Sequence, residues 1–247
     1  MTAESFWQSV SHRLDAGTPV FVSLVAANTR ASPGTLGAHL MVDARGDVEG
    51  TIGGGIMERN LIAVAQQRLR QQPEAAPQLQ RFIHRRNTAD ASGLICAGEQ
   101  TNVNIILQPA RDAGSIKHFC KALDNQGEQS ACLVIAADGV QVADAEATDA
   151  ATATTDLIAD GNAWTYRESS INARRLAIVG AGHCGRALAA LATQVGFWVD
   201  VFDTRADVLH APGWPHAVRL HGLDDYSELK IRLRRKSMTT VVVMTTA

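Results

Sequence analysis

The chain has 247 residues, which is enough for one large or two ordinary domains with a sizeable core. Hydrophobic residues make up 46% and charged residues 19% of it, as in an ordinary soluble globular protein. The formal net charge of -2 gives no electrostatic reason to expect a nucleic-acid partner, because such proteins usually carry a basic face or stripe.

The N-terminal residues Met1 to Ser5 show neither the basic start nor the apolar stretch of a signal peptide. No apolar run reaches the roughly 18 residues of a membrane-spanning helix, so we expect a cytoplasmic protein with no membrane partner. The four cysteines form no Cys-x-x-Cys pair, which argues against a zinc knuckle and predicts free thiols. Two of them, Cys120 and Cys132, fall in helical and strand patterns that predict core packing.

The first sixty residues predict a helix followed by three strands. Apolar residues recur every four positions over 6–14 and predict an amphipathic helix. The Val-rich run over 20–26 predicts a strand that is buried on both faces. A loop of turn-forming residues over 28–37 then leads into a predicted hairpin with strands 38–42 and 48–52.

Three consecutive glycines, Gly53, Gly54 and Gly55, follow the hairpin and precede a helical apolar pattern over 56–69. Glycine is costly at a helix start unless the backbone must approach something closely or adopt a positive φ. A run of N–H donors at a helix N-terminus is a candidate anion site. Glu58, in the first helical turn, has two interpretations: it contacts a ligand, or its carboxylate offsets the helix dipole.

Beyond this helix, a long loop over 87–100 separates a predicted strand at 81–84 from another at 102–107. Cys96 stands in that loop among glycines, where a thiol is accessible to chemistry. Free cysteine is nonetheless one of the most frequently buried residue types. The functional and the structural interpretation of Cys96 therefore both stay open at this point.

The remainder of the N-terminal half predicts a helix over 112–123 and a hairpin of strands 131–136 and 140–143. An Asp/Ala/Thr-rich segment over 144–156 predicts a surface loop. A short aromatic strand is predicted over 164–167.

A polar linker over 168–173 marks the predicted domain boundary near Ser170. The expected domains are a mixed α/β domain over 1–170 and a Rossmann-like domain over 171–247. The fold class is therefore α/β.

The second glycine-rich stretch lies in the predicted C-terminal domain. A short apolar strand breaks into Gly180, Gly182 and Gly185 and then resumes with helical spacing. These glycines suit a sharp turn, a close approach to a pyrophosphate and tight helix packing. The next strand, over 198–202, ends in Asp203, at the position where a ribose-binding acid is expected. This pattern predicts a Rossmann-like phosphate or nucleotide site.

The segment after Asp203 predicts a short strand over 217–220, a helix over 223–235 and a last strand over 239–244. A complete dinucleotide fold has a second half that seats the nicotinamide. We therefore expect a Rossmann-like domain that looks truncated, which holds a nucleotide or pyrophosphate but lacks the usual place for a hydride-transferring ring.

These features together resemble the xanthine dehydrogenase accessory protein family (XdhC/CoxI). The most specific is the run Gly-Thr-Ile-Gly-Gly-Gly-x-x-Glu from Gly50 to Glu58. The Ser32-Pro33 loop precedes it, and the Cys96 loop and the turn from Gly180 to Leu188 follow in the order that the family shows. The resemblance covers nearly the whole chain.

The resemblance implies a non-catalytic chaperone for molybdenum cofactor, as molybdopterin or its dinucleotide form. It implies that the protein protects the cofactor during sulfuration with a cysteine desulfurase and delivers it to an apo molybdenum hydroxylase. Cys96 is then a candidate molybdenum contact, because a thiolate is a soft ligand. Cys184, within the second glycine turn, is the alternative thiol. The candidate cofactor-binding residues are Gly53, Gly54, Gly55, Glu58, Cys96, Gly180, Gly182, Gly185 and Asp203.

Three departures from the family pattern stand out. The first loop reads Ser32-Pro33-Gly34 and lacks the arginine of the family's Ser-x-Pro-Arg. The family's Cys-Gly-Gly becomes Cys96-Ala97-Gly98. Family members usually continue beyond the last strand, whereas here Thr245 is followed only by Thr246 and Ala247. We therefore expect a domain that is truncated, completed by a second chain, or unable to bind nucleotide.

Two other classes of function stay open. One is an NAD(P)-dependent oxidoreductase, favoured by the glycine turn and Asp203, with the nearby Arg205 suited to a 2′-phosphate. The other is a nucleotide-sensing regulatory module without cofactor transfer. The sequence also leaves a homodimer open.

Overall fold

The computed structural model describes residues 2–84, 98–124, 130–145, 155–170, 175–233 and 239–245. The chain divides into two compact units, Met1–Ile171 and Asn172–Ala247. Among the residues described, none of the helices has the length and apolar character needed to cross a membrane.

The first unit combines helices with two antiparallel sheets. Its helices are α1 (Ala3–Asp15), α2 (Gly55–Gln71) and α3 (Pro109–Asp124). Its strands are β1 (Val20–Asn28), β2 (His39–Asp43), β3 (Val48–Gly50), β4 (Gln78–His84), β5 (Gly98–Leu107), β6 (Ser130–Ala136), β7 (Gly139–Ala145), β8 (Thr155–Asp160) and β9 (Ala163–Ser169). The larger sheet has the order β3-β2-β1-β5-β4 and the smaller one β7-β6-β9-β8. The predicted mixed α/β fold is confirmed.

Strand β1 is the centre of the larger sheet, and it is buried on both faces as its apolar run predicts. Val22 and Leu24 belong to a core that includes residues of α1, α3 and the smaller sheet. Phe21 and Val25 belong to a second core with residues of α2. The alternation of strand side chains thus divides the apolar residues of β1 between two layers.

Two segments differ from the expectation. The loop predicted over 144–156 ends in the first residues of β8, and the linker predicted over 168–173 begins inside β9. Glu168 is only 4% and Ser170 only 1% exposed. The linker prediction was wrong at these two residues because polar composition does not imply exposure: Glu168 and Ser170 are buried with hydrogen-bond partners. Residues 146–154 of the predicted loop lie outside the described residues, so most of that loop stays a prediction.

Glu168 joins α1 to both sheets. Its carboxylate accepts hydrogen bonds from Trp7 Nε1 at 2.9 Å and from the Tyr166 hydroxyl at 2.9 Å. His39 Nε2 lies 2.9 and 3.0 Å from the two carboxylate oxygens. Burial alone would raise the pKa of Glu168, but the nearby His39 and the hydrogen bonds from His39, Trp7 and Tyr166 lower it below its ordinary value.

The second unit is a parallel sheet with helices. Its strands are β10 (Arg175–Val179), β11 (Trp198–Asp203), β12 (Val218–Gly222) and β13 (Thr239–Val243), in the order β12-β11-β10-β13. Its helices are α4 (His183–Gln194), α5 (Ala206–Leu209) and α6 (Leu229–Arg232). The sequence places a helix over 223–235, but the described part of that segment holds only a short 3₁₀ turn and α6. The strand, glycine turn and helix at residues 175–194 confirm the predicted Rossmann-like unit.

Candidate functional site

The glycine loop, residues 51–55, connects β3 to α2. Gly53, Gly54 and Gly55 have φ values of 123°, 74° and 73°, which favour glycine at all three positions. A Cβ on Gly53 would lie 2.8 Å from the backbone nitrogen of Gly34, whereas a Cβ on Gly54 would meet nothing within 4 Å. Gly53 is therefore required for packing, and Gly54 leaves the backbone open to a ligand.

Glu58 stabilises the glycine loop by accepting hydrogen bonds from three of its groups. Its Oε2 accepts hydrogen bonds from Thr51 Oγ1 at 2.7 Å, from the Ile52 N–H at 2.8 Å and from the Gly54 N–H at 3.1 Å. The Glu58 carboxylate thus binds the N–H groups of Ile52 and Gly54, and that of Gly54 belongs to the run of donors that the sequence predicts as an anion site. Contact between Glu58 and a ligand stays a prediction.

Helix α2 begins at Gly55, and its cap residue Gly54 provides no side-chain hydrogen bond. The N–H groups in the first turn of a helix have no intrahelical partner, and the helix dipole places a partial positive charge there. These N–H groups are therefore the donors in this loop best suited to a phosphate.

Gln100 links the glycine loop to the first loop of the chain. It is 1% exposed, and its Oε1 accepts hydrogen bonds from the Gly34 N–H at 3.1 Å and from Ser32 Oγ at 3.0 Å. Its Nε2 donates to the Ile52 carbonyl and to Asn102 Oδ1, both at 3.1 Å. One buried amide thus fixes both loops to the start of β5.

Sequence reasoning missed Gln100, although a signal was present. Gln100, Asn102 and Asn104 occupy alternate positions of β5, and each is at most 2% exposed. Polar residues at every second strand position normally indicate a solvated face. Here Asn102 continues the network by donating to Ser23 Oγ at 3.0 Å, so the polar face lies in the interior.

Cys96 lies outside the described residues. In the sequence it stands two positions before Gly98, the first residue of β5. A Cβ on Gly98 would lie 2.6 Å from the backbone nitrogen of Ser32. Gly98, the described residue nearest to Cys96 in the sequence, therefore packs on the loop around Ser32 to which Gln100 is hydrogen-bonded. The role of the Cys96 thiol stays a prediction.

The glycine turn of the second unit has the three steric properties that its sequence predicts. Gly180 has a φ of 115°, and its Cβ would lie 2.9 Å from the Met244 carbonyl. A Cβ on Gly185 would lie only 2.0 Å from the Gly180 carbonyl oxygen. Gly182, the cap residue of α4, would meet nothing within 4 Å. Gly182 is the position where a phosphate has room, and binding there stays a prediction.

Asp203 is fully buried beneath this turn. Its Oδ2 accepts from the Ala181 N–H at 2.6 Å and from Arg205 Nη2 at 2.8 Å, and its Oδ1 accepts from Arg205 N and Nε at 2.9 Å. The hydrogen bonds from Arg205 and Ala181 hold the pKa of Asp203 well below its ordinary value in spite of burial. A ribose contact stays a prediction, and it requires Arg205 to release the carboxylate.

Replacing Asp203 by asparagine is expected to destabilise the second unit by about 2 kcal/mol at pH 7, because buried donors lose a charged acceptor. The pKa of Asp203 is lower in the folded than in the unfolded chain, so its contribution is present above pH 3.8 and is lost as the pH falls. Urea unfolding of both proteins between pH 7 and pH 3 checks this. A difference that is constant or grows toward acid would contradict it.

The described cysteines differ in exposure. Cys184, in the first turn of α4, is exposed, whereas Cys120 and Cys132 are half-buried. Burial raises the pKa of the Cys120 thiol to about 11 and also raises that of Cys132. The thiols of Cys120 and Cys132 are therefore poor nucleophiles at neutral pH.

Iodoacetamide at pH 8 is expected to alkylate Cys184 at least about tenfold faster than Cys120, because Cys184 is exposed and burial raises the pKa of the Cys120 thiol to about 11. Mass spectrometry of the native protein over time measures both rates. Urea-unfolded protein is the control, in which the two rates converge. Equal rates in the native protein would contradict the burial of Cys120.

Within the described ranges, no group of three or more His, Cys, Asp or Glu side chains is placed to hold a metal ion.

Two family models match the chain. The model described as the XdhC and CoxI family matches residues 13–82, and the model described as the XdhC Rossmann domain matches residues 176–247. Together they cover more than half of the sequence. The chain belongs to the XdhC and CoxI family. The first segment contains the glycine loop of this XdhC/CoxI protein and the second contains Gly182 and Asp203, whereas Cys96 and Gln100 lie between the two.

A solved structure extends the comparison. The XdhC/CoxI chain is similar to a crystal structure described as a xanthine dehydrogenase from Bacillus halodurans, determined at 2.80 Å resolution. The identity is 16%, the TM-score is 0.62, and the match covers 99% of this chain and 75% of the other. At this identity the likeness shows the fold alone. No curated protein matches the sequence.

Proposed function

We propose that this XdhC/CoxI protein is a non-catalytic chaperone in the maturation of a xanthine dehydrogenase-type molybdenum hydroxylase. It binds molybdenum cofactor, supports its sulfuration and delivers it to the apo-enzyme. Membership of the family supports an accessory role in xanthine dehydrogenase maturation. The finer steps rest on the residues of the glycine loop and on the Cys96 loop.

The observation that carries the proposal is the glycine loop with an open Gly54 in front of α2. A Cβ there would meet nothing within 4 Å, and α2 receives no side-chain cap. The phosphate of molybdopterin suits such a helix start, because backbone N–H groups bind it without a cationic side chain. Glu58 and Gln100 fix the loop in advance, which lowers the entropy lost on binding.

Cys96 is the proposed thiol contact for molybdenum. A thiolate is a soft ligand and suits a metal that is already bound by the dithiolene sulfurs of the pterin. The bound cofactor supplies the redox metal that the hydroxylase needs, whereas this chain holds the phosphate and shields the group until it is transferred.

The second unit is proposed to take a further phosphate at Gly182, either from the dinucleotide form of the cofactor or from a separate nucleotide. The proposed partners are an apo molybdenum hydroxylase and a cysteine desulfurase, and the proposed location is the cytoplasm. We also propose a homodimer, and light scattering measures whether the protein has the mass of two chains.

Anaerobic purification from cells that make molybdenum cofactor tests the proposal. Molybdenum and fluorescent pterin oxidation products are expected in about equal amounts in the wild type. Cys96→Ala is expected to lose most of the molybdenum and to fail in reconstituting an apo-hydroxylase, whereas Cys184→Ala is expected to behave like the wild type.

Three results would overturn the proposal. The first is the absence of both molybdenum and pterin from the wild type, with Cys96→Ala equal to it in reconstitution. The second is reduction of a substrate with NADH or NADPH, which would make the protein an oxidoreductase. The third is nucleotide binding without any pterin binding, which would favour a regulatory module.

A further inference from the structure

The strongest unexplained feature outside the site is the buried carboxylate that connects the smaller sheet to β2. We propose that Glu168 is a positioning residue for the glycine loop and that it acts through His39. The loop's role as a cofactor cradle rests on the proposed function, whereas the mechanical link from Glu168 to the loop does not.

The first step is the fixation of His39, the first residue of β2. Its imidazole lies against both oxygens of Glu168, at 2.9 and 3.0 Å. The same ring stacks on Phe6, with centroids 4.7 Å apart, and makes an edge contact with Trp7 at 5.8 Å. His39 is therefore held on three sides, and Glu168 is the partner that hydrogen-bonds to it.

The second step leads from the backbone of His39 to the glycine loop. The His39 carbonyl accepts a hydrogen bond from the Thr51 N–H at 2.8 Å. It also lies so close to Gly50 that a Cβ there would be 2.2 Å from the oxygen. Thr51 Oγ1 in turn donates to Glu58 and accepts from the Gly53 N–H at 3.2 Å. A shift of His39 would therefore move the residues that shape the loop.

The smaller sheet also packs against the chain just before His39. A Cβ on Gly37 would lie 3.0 Å from Thr155 Oγ1, at the first residue of β8. The ends of β8 and β9 thus contact both Gly37 and His39, on either side of Ala38. This explains why a charged carboxylate is buried here, since an apolar residue could not orient the imidazole.

Hydrogen exchange on the free protein tests the link. Glu168→Gln keeps the side-chain size but removes the charge that faces His39, whereas the control Tyr166→Phe removes another hydrogen bond to the same carboxylate. The Thr51 amide is expected to exchange about tenfold faster in Glu168→Gln, relative to the core amide of Val22, and at the wild-type ratio in Tyr166→Phe. Equal ratios in both variants would overturn the proposal.

Cofactor affinity gives an independent measurement. Molybdenum cofactor released anaerobically from a hydroxylase is expected to bind about tenfold more weakly to Glu168→Gln than to the wild type, and within about twofold of wild type to Tyr166→Phe. Unchanged affinity of Glu168→Gln would overturn the positioning role. If the wild type binds no cofactor, the proposed function fails, but the exchange experiment still decides the role of Glu168. If Glu168→Gln does not fold, His39→Gln breaks the same contact and is held to the same criteria.

Discussion

Replacing Gly185 by alanine is expected to destabilise the second unit by about 3 kcal/mol or more, or to prevent its folding. The added Cβ would lie 2.0 Å from the Gly180 carbonyl oxygen and 3.3 Å from Ile178 Cγ2, so α4 must move away from β10. Hydrogen exchange followed by mass spectrometry measures the loss in the second unit while reporting on the first, which is expected to keep its protection.

The matched control is Gly182→Ala in the same turn. Gly182 has a φ of -67°, and a Cβ there would meet nothing within 4 Å, so the loss of stability is expected to stay within about 1 kcal/mol. The added methyl group of this variant fills only the space in front of the N-terminus of α4. Equal protection of the second unit in the two variants would contradict the assignment of Gly185 to packing and of Gly182 to ligand access.

Gln100→Leu is expected to destabilise the first unit by about 3 to 4 kcal/mol. Leucine nearly fills the space, so the loss does not come from a cavity. It comes mainly from the Gly34 N–H and the Ile52 carbonyl, which lose their partner in a buried position, and also from the half-buried Ser32 hydroxyl. Urea unfolding followed by tryptophan fluorescence measures the change.

Gln67→Leu is the control for this substitution. Gln67 is exposed on α2 and donates to Gln71 Oε1 at 3.0 Å, a contact between two side chains on the surface. A change within about 0.5 kcal/mol is expected, as for other surface substitutions. If both leucine variants have the same stability, Gln100 does not join the two loops in the way that the structure indicates.

The sequence predicts most of the local structure where one periodicity dominates. The four-residue spacing of Phe6, Val10 and Leu14 predicts α1, and all three side chains are at most 2% exposed. The apolar run of β1 predicts a strand in the interior of a sheet, which it is. The steric differences among the second set of glycines also follow from the motif, since each backbone position demands a different geometry.

The residues that the sequence does not reveal are those whose partners are distant along the chain. Glu168 belongs with Trp7 and His39, which lie 161 and 129 residues away. Gln100 bonds to Gly34 and Ile52, which lie 66 and 48 residues away. A polar side chain in isolation predicts exposure, and only the tertiary structure provides the donors and acceptors that make its burial favourable.

The most direct test of cofactor binding at the glycine loop compares two glycines that share a positive φ. Gly54 and Gly17 have φ values of 74° and 77°, and a Cβ on either would meet nothing within 4 Å. Gly54 stands in front of α2, whereas Gly17 follows α1 far along the chain from the loop. Alanine strains the backbone at both positions, and more so at Gly54, whose ψ of -164° lies in a region that essentially only glycine adopts, so the stability of each variant is measured beside its binding.

The measurement is the dissociation constant of molybdenum cofactor, determined anaerobically for the wild type, Gly54→Ala and Gly17→Ala. We expect the wild type and Gly17→Ala to bind alike and Gly54→Ala to bind at least about tenfold more weakly, because its methyl group fills the space in front of the helix N–H groups. Equal binding by all three proteins, or no binding by the wild type, would contradict the assignment of the glycine loop to the cofactor.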